Sequence, residues 1–90
     1  MKAKLLKTDG TIEDLELPDD DRGRYQAIQA AVQGQVEQLV LKSKKILYFN
    51  EDRNILGLPT NMQATKLAVL TIPIDTYILG NVVVVDPNIK

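Results

Sequence analysis

Hydrophobic and polar residues form two short alternating runs at the start of the chain, a pattern typical of a β-hairpin. The runs cover residues 3–8 and 12–17, and they flank Asp9-Gly10. An Asp-Gly pair between two such runs is a strong hairpin signal, because both turn positions need positive φ. The first 17 residues therefore predict two antiparallel strands.

After the hairpin the hydrophobic period lengthens to that of a helix. Residues 19–21 are three aspartates, which suit a helix start because a carboxylate caps free amides and faces the positive end of the helix dipole. The apolar side chains that follow at helical spacing are Tyr25, Ile28 and Val32, widened by Ala27 and Ala31. Gly34 stands where a C′ glycine ends a helix. We predict a helix from about Asp20 to Gln33, with its apolar stripe on a sheet.

Three further strands are expected. Residues 36–41 and 45–49 are separated by the polar turn 42–44, and residues 82–85 are four consecutive valines. A run of this kind suits a strand that is buried on both faces and lies in the centre of a sheet.

A short helix and an apolar connection lie between the fourth and fifth strands. Thr60 or Asn61 can cap a helix over about residues 62–67. The run 67–74 is apolar, but its proline allows at most an edge strand. Residues 86–90 are expected to fray. We predict one α+β domain, residues 1–90, with a mainly antiparallel sheet of about five strands, one long helix and one short helix.

Length and charge narrow the class of protein. A chain of 90 residues buries roughly 60–65% of its unfolded surface. Eleven basic residues against twelve acidic ones give no basic excess, so we do not expect nucleic-acid binding. The chain holds neither a run of ~20 apolar residues nor a signal-peptide pattern after Met1, so we expect a cytoplasmic protein without membrane contact.

The chain contains neither histidine nor cysteine. Disulfides and thiolate chemistry are therefore excluded, and the commonest general base and metal ligand are missing. Ser43 has no base beside it in sequence, and the three aspartates at the helix start should diverge. We predict no catalytic residue, no metal site and no cofactor.

Three blocks of the sequence resemble one family. They are Met-Lys-Ala-x-x-x-Lys-Thr-Asp-Gly-Thr at residues 1–11, Asn-Glu-x(5)-Gly-Leu-Pro-x-Asn-x-x-Ala-Thr at 50–65, and Gly-Asn-Val-Val-Val-Val at 80–85. Together they resemble a small domain of unknown function that phages, plasmids, cyanobacteria and other bacteria carry. Two stretches depart from its pattern: Gln33-Gly34-Gln35 is more polar, and 67–79 is longer and more apolar. The resemblance implies a fold and a mobile-element habitat, and no activity.

A ligand-binding site is the sharper interpretation of the polar residues in the central block. Its candidate residues are Tyr48, Asn50, Glu51, Arg53, Asn54, Asn61, Thr65 and Lys66. A polar loop facing a capped helix N-terminus gathers donors and a positive dipole end, which favours an anionic or nucleotide-like ligand. The alternative is structural, since asparagines also close turns and cap helices.

Two hypotheses for function follow. The first is a non-enzymatic phage-type counter-defence protein that sequesters a nucleotide immune signal in a pocket between subunits of a homo-oligomer. The second is a protein–protein interaction module that inhibits or adapts a host protein through its apolar C-terminal third. That third would also serve as a self-association surface if the core is already filled.

Overall fold

A five-stranded antiparallel sheet with two helices forms this α+β protein, whose computed structural model describes residues 1–87. The elements in chain order are β1 (Lys2–Leu6), β2 (Ile12–Glu16), α1 (Asp21–Val32), β3 (Val36–Val40), β4 (Ile46–Asn50), α2 (Met62–Leu67) and β5 (Val82–Val85). The predicted fold class is confirmed. The predicted frayed tail extends into residues 88–90, which lie outside the described residues.

The last strand occupies the centre of the sheet, whose order is β2-β1-β5-β4-β3. Val83 pairs with Leu5 on one side and with Tyr48 on the other. All four valines of β5 are buried. The prediction of a central strand is confirmed, because only a wholly apolar strand can be covered on both faces without leaving polar side chains unsatisfied.

Each face of the sheet has its own hydrophobic cluster. Helix α1 covers one face with the buried residues Ile28 and Val32, and the cluster there also contains Ala3, Leu17, Val83 and Val85. Helix α2 and the segment after it cover part of the other face, where the cluster contains Leu6, Leu41, Leu47, Phe49, Ala64, Ala68, Ile78, Val82 and Val84. Tyr25, predicted in the buried stripe of α1, is 46% exposed and donates its hydroxyl to Gln35 at 3.4 Å.

Two turns differ from their predictions. In the β1–β2 hairpin only Gly10 has positive φ (91°), and Asp9 instead accepts a hydrogen bond from the Thr11 amide at 2.8 Å. At the end of α1 the left-handed residue is Gln33 (φ 64°), and Gly34 does not have positive φ. The helix boundaries themselves lie within one residue of the prediction.

In the apolar run 67–74, Leu67 ends α2 and the residues after it form turns and irregular backbone, with no edge strand. Ala68 is buried and Ile72 is half-buried, so these two side chains join the α2-side cluster. Val69, Leu70 and Ile74 remain exposed. The core of this small domain is filled without them.

Candidate functional site

Asn50, the last residue of β4, holds the end of α1. Its side chain is 2% exposed, and its Nδ2 donates to the carbonyls of Val32 at 3.1 Å and Gln33 at 3.3 Å. Its Oδ1 accepts the Asp52 amide at 2.7 Å. Both donors and the acceptor of the amide are therefore engaged by backbone groups, two of which are left unpaired where a helix ends.

Gly34 packs directly against this amide. A Cβ atom added at Gly34 would lie 2.7 Å from Nδ2 of Asn50, closer than van der Waals contact allows. The glycine therefore serves close approach of backbone and side chain, and not the left-handed cap that its position predicts. The Gln33-Gly34-Gln35 stretch and Asn50 form one structural unit.

Asn61 holds the start of α2 in a comparable way. It is fully buried, and its Oδ1 caps the helix by accepting the Ala64 amide at 3.1 Å. Its Nδ2 donates to the carbonyls of Leu6 and Gly80, each at 2.9 Å. This side chain thereby joins the end of β1, the start of α2 and the approach to β5.

Thr65 completes the same network. Its hydroxyl donates to the Asn61 carbonyl at 2.8 Å and accepts the Ile78 amide at 2.9 Å. The Asn61 amide in turn donates to the Ile78 carbonyl at 2.7 Å. The polar atoms of Asn61 and Thr65 therefore hold the segment before β5 against α2.

Arg53 lies at the other end of the predicted site, on the α2 side of the sheet. Its guanidinium carbon is 4.5 Å from the centre of the Phe49 ring, a cation–π arrangement. It also donates to the Asn50 carbonyl at 3.3 Å and pairs with Glu37 at 3.5 Å. Three contacts within the protein account for its position.

The other predicted residues do not join these into one cavity. Tyr48 is half-buried and packs in the α1-side cluster, whereas Glu51, Asn54 and Lys66 are exposed. The amide of Asn50 faces α1, and that of Asn61 faces the base of α2. The predicted set is thus divided between the two faces of the sheet.

An exposed apolar surface follows α2. We call it the 69–77 surface, and it consists of Val69, Leu70, Ile72, Pro73, Ile74 and Tyr77. Ile74 is 92% exposed and Leu70 is 76% exposed. Among the described residues, twelve large hydrophobic side chains are exposed, and eight of these lie between Ile55 and Tyr77. The chain therefore concentrates its exposed apolar groups in about one quarter of its length.

A shallow depression of about 230 Å³ lies within this surface. Thr65, Asp75 and Thr76 line it together with five apolar residues of the 69–77 surface. Thr65 is the one predicted site residue at this depression. The apolar run 67–74, which belongs to the interaction surface of the second hypothesis, contributes four of the residues that line the depression.

A second, open groove of about 670 Å³ lies on the α2 side of the sheet, over the part of that face that α2 does not cover. Its charged lining residues are Lys2, Lys4, Lys45, Asp14, Glu16 and Asp86. Lys4 pairs with Asp14. Three ammonium groups and three carboxylates leave the groove without net charge, and none of the predicted site residues lines it.

Displaced pKa values occur on the β1–β2 hairpin. The hydrogen bond from Lys4 lowers the pKa of the Asp14 carboxyl, and the hydrogen bond to Asp19 raises the pKa of the Met1 amino group. Displaced pKa values often mark functional sites, but these groups are exposed ion pairs. Ion pairing at the protein surface is sufficient to explain both displaced pKa values.

Residues 1–87 contain neither a cluster of metal ligands nor a helix that could span a membrane. These residues contain no group of three or more acidic side chains that could hold a metal ion. Over the same range, neither helix has the length and apolar character that crossing a bilayer requires.

The structure defines a small α+β domain with helices on both faces of an antiparallel sheet, internal asparagine anchors and an exposed apolar surface. The chain belongs to the family described as domain of unknown function DUF3846, whose family model matches residues 1–90. No curated protein and no solved structure matches the chain. Membership in this family assigns no activity.

Proposed function

We propose that this protein is a non-enzymatic protein–protein interaction module that binds a host protein through the 69–77 surface. The observation that carries the proposal is the exposure of Ile74, Leu70, Val69 and Tyr77 within one short segment. Soluble domains rarely present contiguous apolar patches of this kind unless a partner covers them.

The shape of the surface favours a protein partner over a small molecule. Small-molecule pockets commonly enclose about 300–1,000 Å³, whereas the depression at the 69–77 surface has about 230 Å³. That volume suits one large apolar anchor side chain from a partner protein. Asp75 is the one charged residue that lines the depression, so a lysine or arginine beside the anchor would be favoured.

The habitat implied by the family resemblance supports a partner from the host cell. A protein carried by phages and plasmids gains most from inhibiting or adapting a host protein. The chemistry available agrees with this role, because binding through apolar contacts needs neither histidine nor cysteine.

The test is site-specific photocrosslinking in host cells. A photoreactive amino acid replaces Ile74 in one variant and Ile12, a 55% exposed residue of β2, in the control. We expect the variant at position 74 to crosslink one host protein that the control does not capture. With that partner purified, Ile74→Lys should weaken binding about tenfold or more, and Ile12→Lys should leave it unchanged. Equal crosslinking at both positions, or unchanged binding by Ile74→Lys, would reject the proposal.

A nucleotide-like ligand is the second candidate, and the observation that favours it is the open groove. Its volume of about 670 Å³ is within the range of small-molecule sites. Lys2 and Lys45 are positioned on its lining and could contact phosphate groups. The counter-defence hypothesis, in which the protein sequesters a nucleotide immune signal, would then use this groove.

Thermal shift separates the two candidates. Cyclic dinucleotides, ADP-ribose derivatives and ordinary nucleotides should raise the Tm if one of them binds, by mass action. A Lys2→Ala, Lys45→Ala double variant should lose that shift, and Lys66→Ala, which lies outside the groove, should keep it. Absence of any shift across the panel would remove the second candidate.

A further inference from the structure

The edge strand β3 presents unpaired backbone groups to solvent. Hydrogen bonds frame the β3–β4 ladder at both ends: Glu51 N donates to Gln35 O, and Leu41 N donates to Lys45 O, each at 2.8 Å. In an antiparallel ladder every second residue exchanges backbone hydrogen bonds with its partner. The backbone N–H and C=O groups of the odd-numbered β3 residues therefore point toward β4. The N–H and C=O groups of Val36, Gln38 and Val40 therefore point away from the sheet.

The outer edge of β2, at the opposite side of the sheet, is protected by charge. It carries Glu13, Asp14 and Glu16 among its five residues. Pairing β2 with a second copy about Asp14 would set two carboxylates directly opposite each other, which is unfavourable. Charged side chains of this kind are a common way to prevent edge-to-edge association.

The outer edge of β3 lacks that protection. Glu37 is its one charged residue, and its backbone groups face β4, so it is not one of the three outward-facing residues. Val40 is 51% exposed, so a β-branched side chain lies open to solvent at the edge. Of the two edges of this sheet, β3 is the one that can accept another strand.

The sequence of β3 is also self-complementary in the antiparallel sense. A two-fold axis at Gln38 sets Gln38 opposite its own copy and Val36 opposite Val40 of the second copy. These outward-facing residues would form three hydrogen-bonded pairs, with about six backbone hydrogen bonds in all. The two valine pairs would cover the exposed Val40 side chains, and facing β-branched residues stabilise such ladders.

We propose that the protein forms a symmetric homodimer by antiparallel pairing of β3 with β3 of a second copy, centred on Gln38. The two sheets would join into one sheet of ten strands, since each copy contributes five. A two-fold axis perpendicular to the sheet keeps both copies of α1 on the same face. The pairing residues Val36, Gln38 and Val40 are not part of the 69–77 surface, so the dimer and the proposed function are tested separately. One hydrogen bond, from the Lys42 amide to Thr71 Oγ1 at 3.2 Å, connects the end of β3 to the segment that carries that surface.

A charge-swap experiment tests the pairing. Gln38 is exposed, so Gln38→Lys and Gln38→Glu should fold normally. Sedimentation from about 10 μM to about 1 mM should show the 10.0 kDa wild-type chain approaching twice its mass. Each variant alone places like charges at the axis and should dimerise about tenfold more weakly, whereas a mixture of the two should form a heterodimer.

Matched controls keep the result interpretable. Gln26 is exposed on α1, and the same pair of substitutions there should leave dimerisation unchanged. Hydrogen exchange at the amides of Val36, Gln38 and Val40 should slow as concentration rises. A wild-type chain that stays monomeric over the whole range overturns the proposal. So do Gln38 variants that dimerise like the wild type. Ile74→Lys should dimerise normally, which distinguishes this interface from the 69–77 surface.

Discussion

The two buried asparagines of segment 50–65 and the apolar residues of the 69–77 surface are neighbours in sequence, yet their side chains are placed in opposite ways. The amides of Asn50 and Asn61 are buried and fully engaged by backbone groups. Ile74 and Leu70, by contrast, are hydrophobic and exposed. In this chain the two buried asparagines hold backbone segments together, and the apolar side chains that follow them remain exposed.

The burial of these asparagines has a physical cause in the irregular connections of the chain. Long irregular connections leave carbonyls and amides that no helix or strand pairs, and burying them unpaired is costly. Asn61 resolves this for the carbonyls of Leu6 and Gly80 while also capping α2. A polar residue in a loop is therefore no guide to a binding site until its hydrogen-bond partners are known.

The largest expected effect is at Asn61. Asn61→Ala removes a helix cap and leaves two buried carbonyls without donors, so we expect a loss of about 3 kcal/mol in the free energy of unfolding. Asn61→Asp keeps the capping acceptor but cannot donate, and it should be nearly as destabilising. Urea denaturation followed by circular dichroism measures both.

Asn54→Ala is the matched control for this prediction. Asn54 is exposed, and its substitution should change stability by no more than about 0.5 kcal/mol. If Asn61→Ala were as stable as the wild type and lost binding to a ligand, Asn61 would belong to a binding site and the contrast between the two regions would fail.

A second prediction concerns the contact of Gly34 with Asn50. Gly34→Ala should cost about 2 kcal/mol, because its Cβ would collide with the buried amide. Asn50→Ala should cost about 2 kcal/mol through the lost hydrogen bonds. The double variant should be less destabilised than the sum by about 1 kcal/mol, since removing the amide makes room for the methyl group. Strict additivity in the same denaturation assay would show that the two residues do not form one unit.

The sequence defines the elements with less ambiguity than the role of the candidate site residues, for reasons visible in particular residues. Four consecutive valines predict a strand that is buried on both faces, and β5 is such a strand. Asp20 accepts a hydrogen bond from the Gly23 amide, as an aspartate that caps a helix should. Asn50 and Asn61 admit two interpretations, because capping and ligand binding use the same amide. The structural interpretation depends on tertiary partners that the sequence does not reveal, such as the Leu6 carbonyl 55 positions away from Asn61.

The smallest expected effect on stability is at the 69–77 surface. A small effect there is informative because it shows that these apolar side chains do not pack against their own domain. Ile74→Ser should change the free energy of unfolding by no more than about 0.5 kcal/mol, because an exposed side chain loses no burial on substitution. Ile78 is a matched isoleucine that is 4% exposed, and Ile78→Ser should cost about 3 kcal/mol or more. If Ile74→Ser were as destabilising as Ile78→Ser, the segment would pack against its own domain in solution. The apolar surface would then not be free for a partner, and the two regions would both serve the fold.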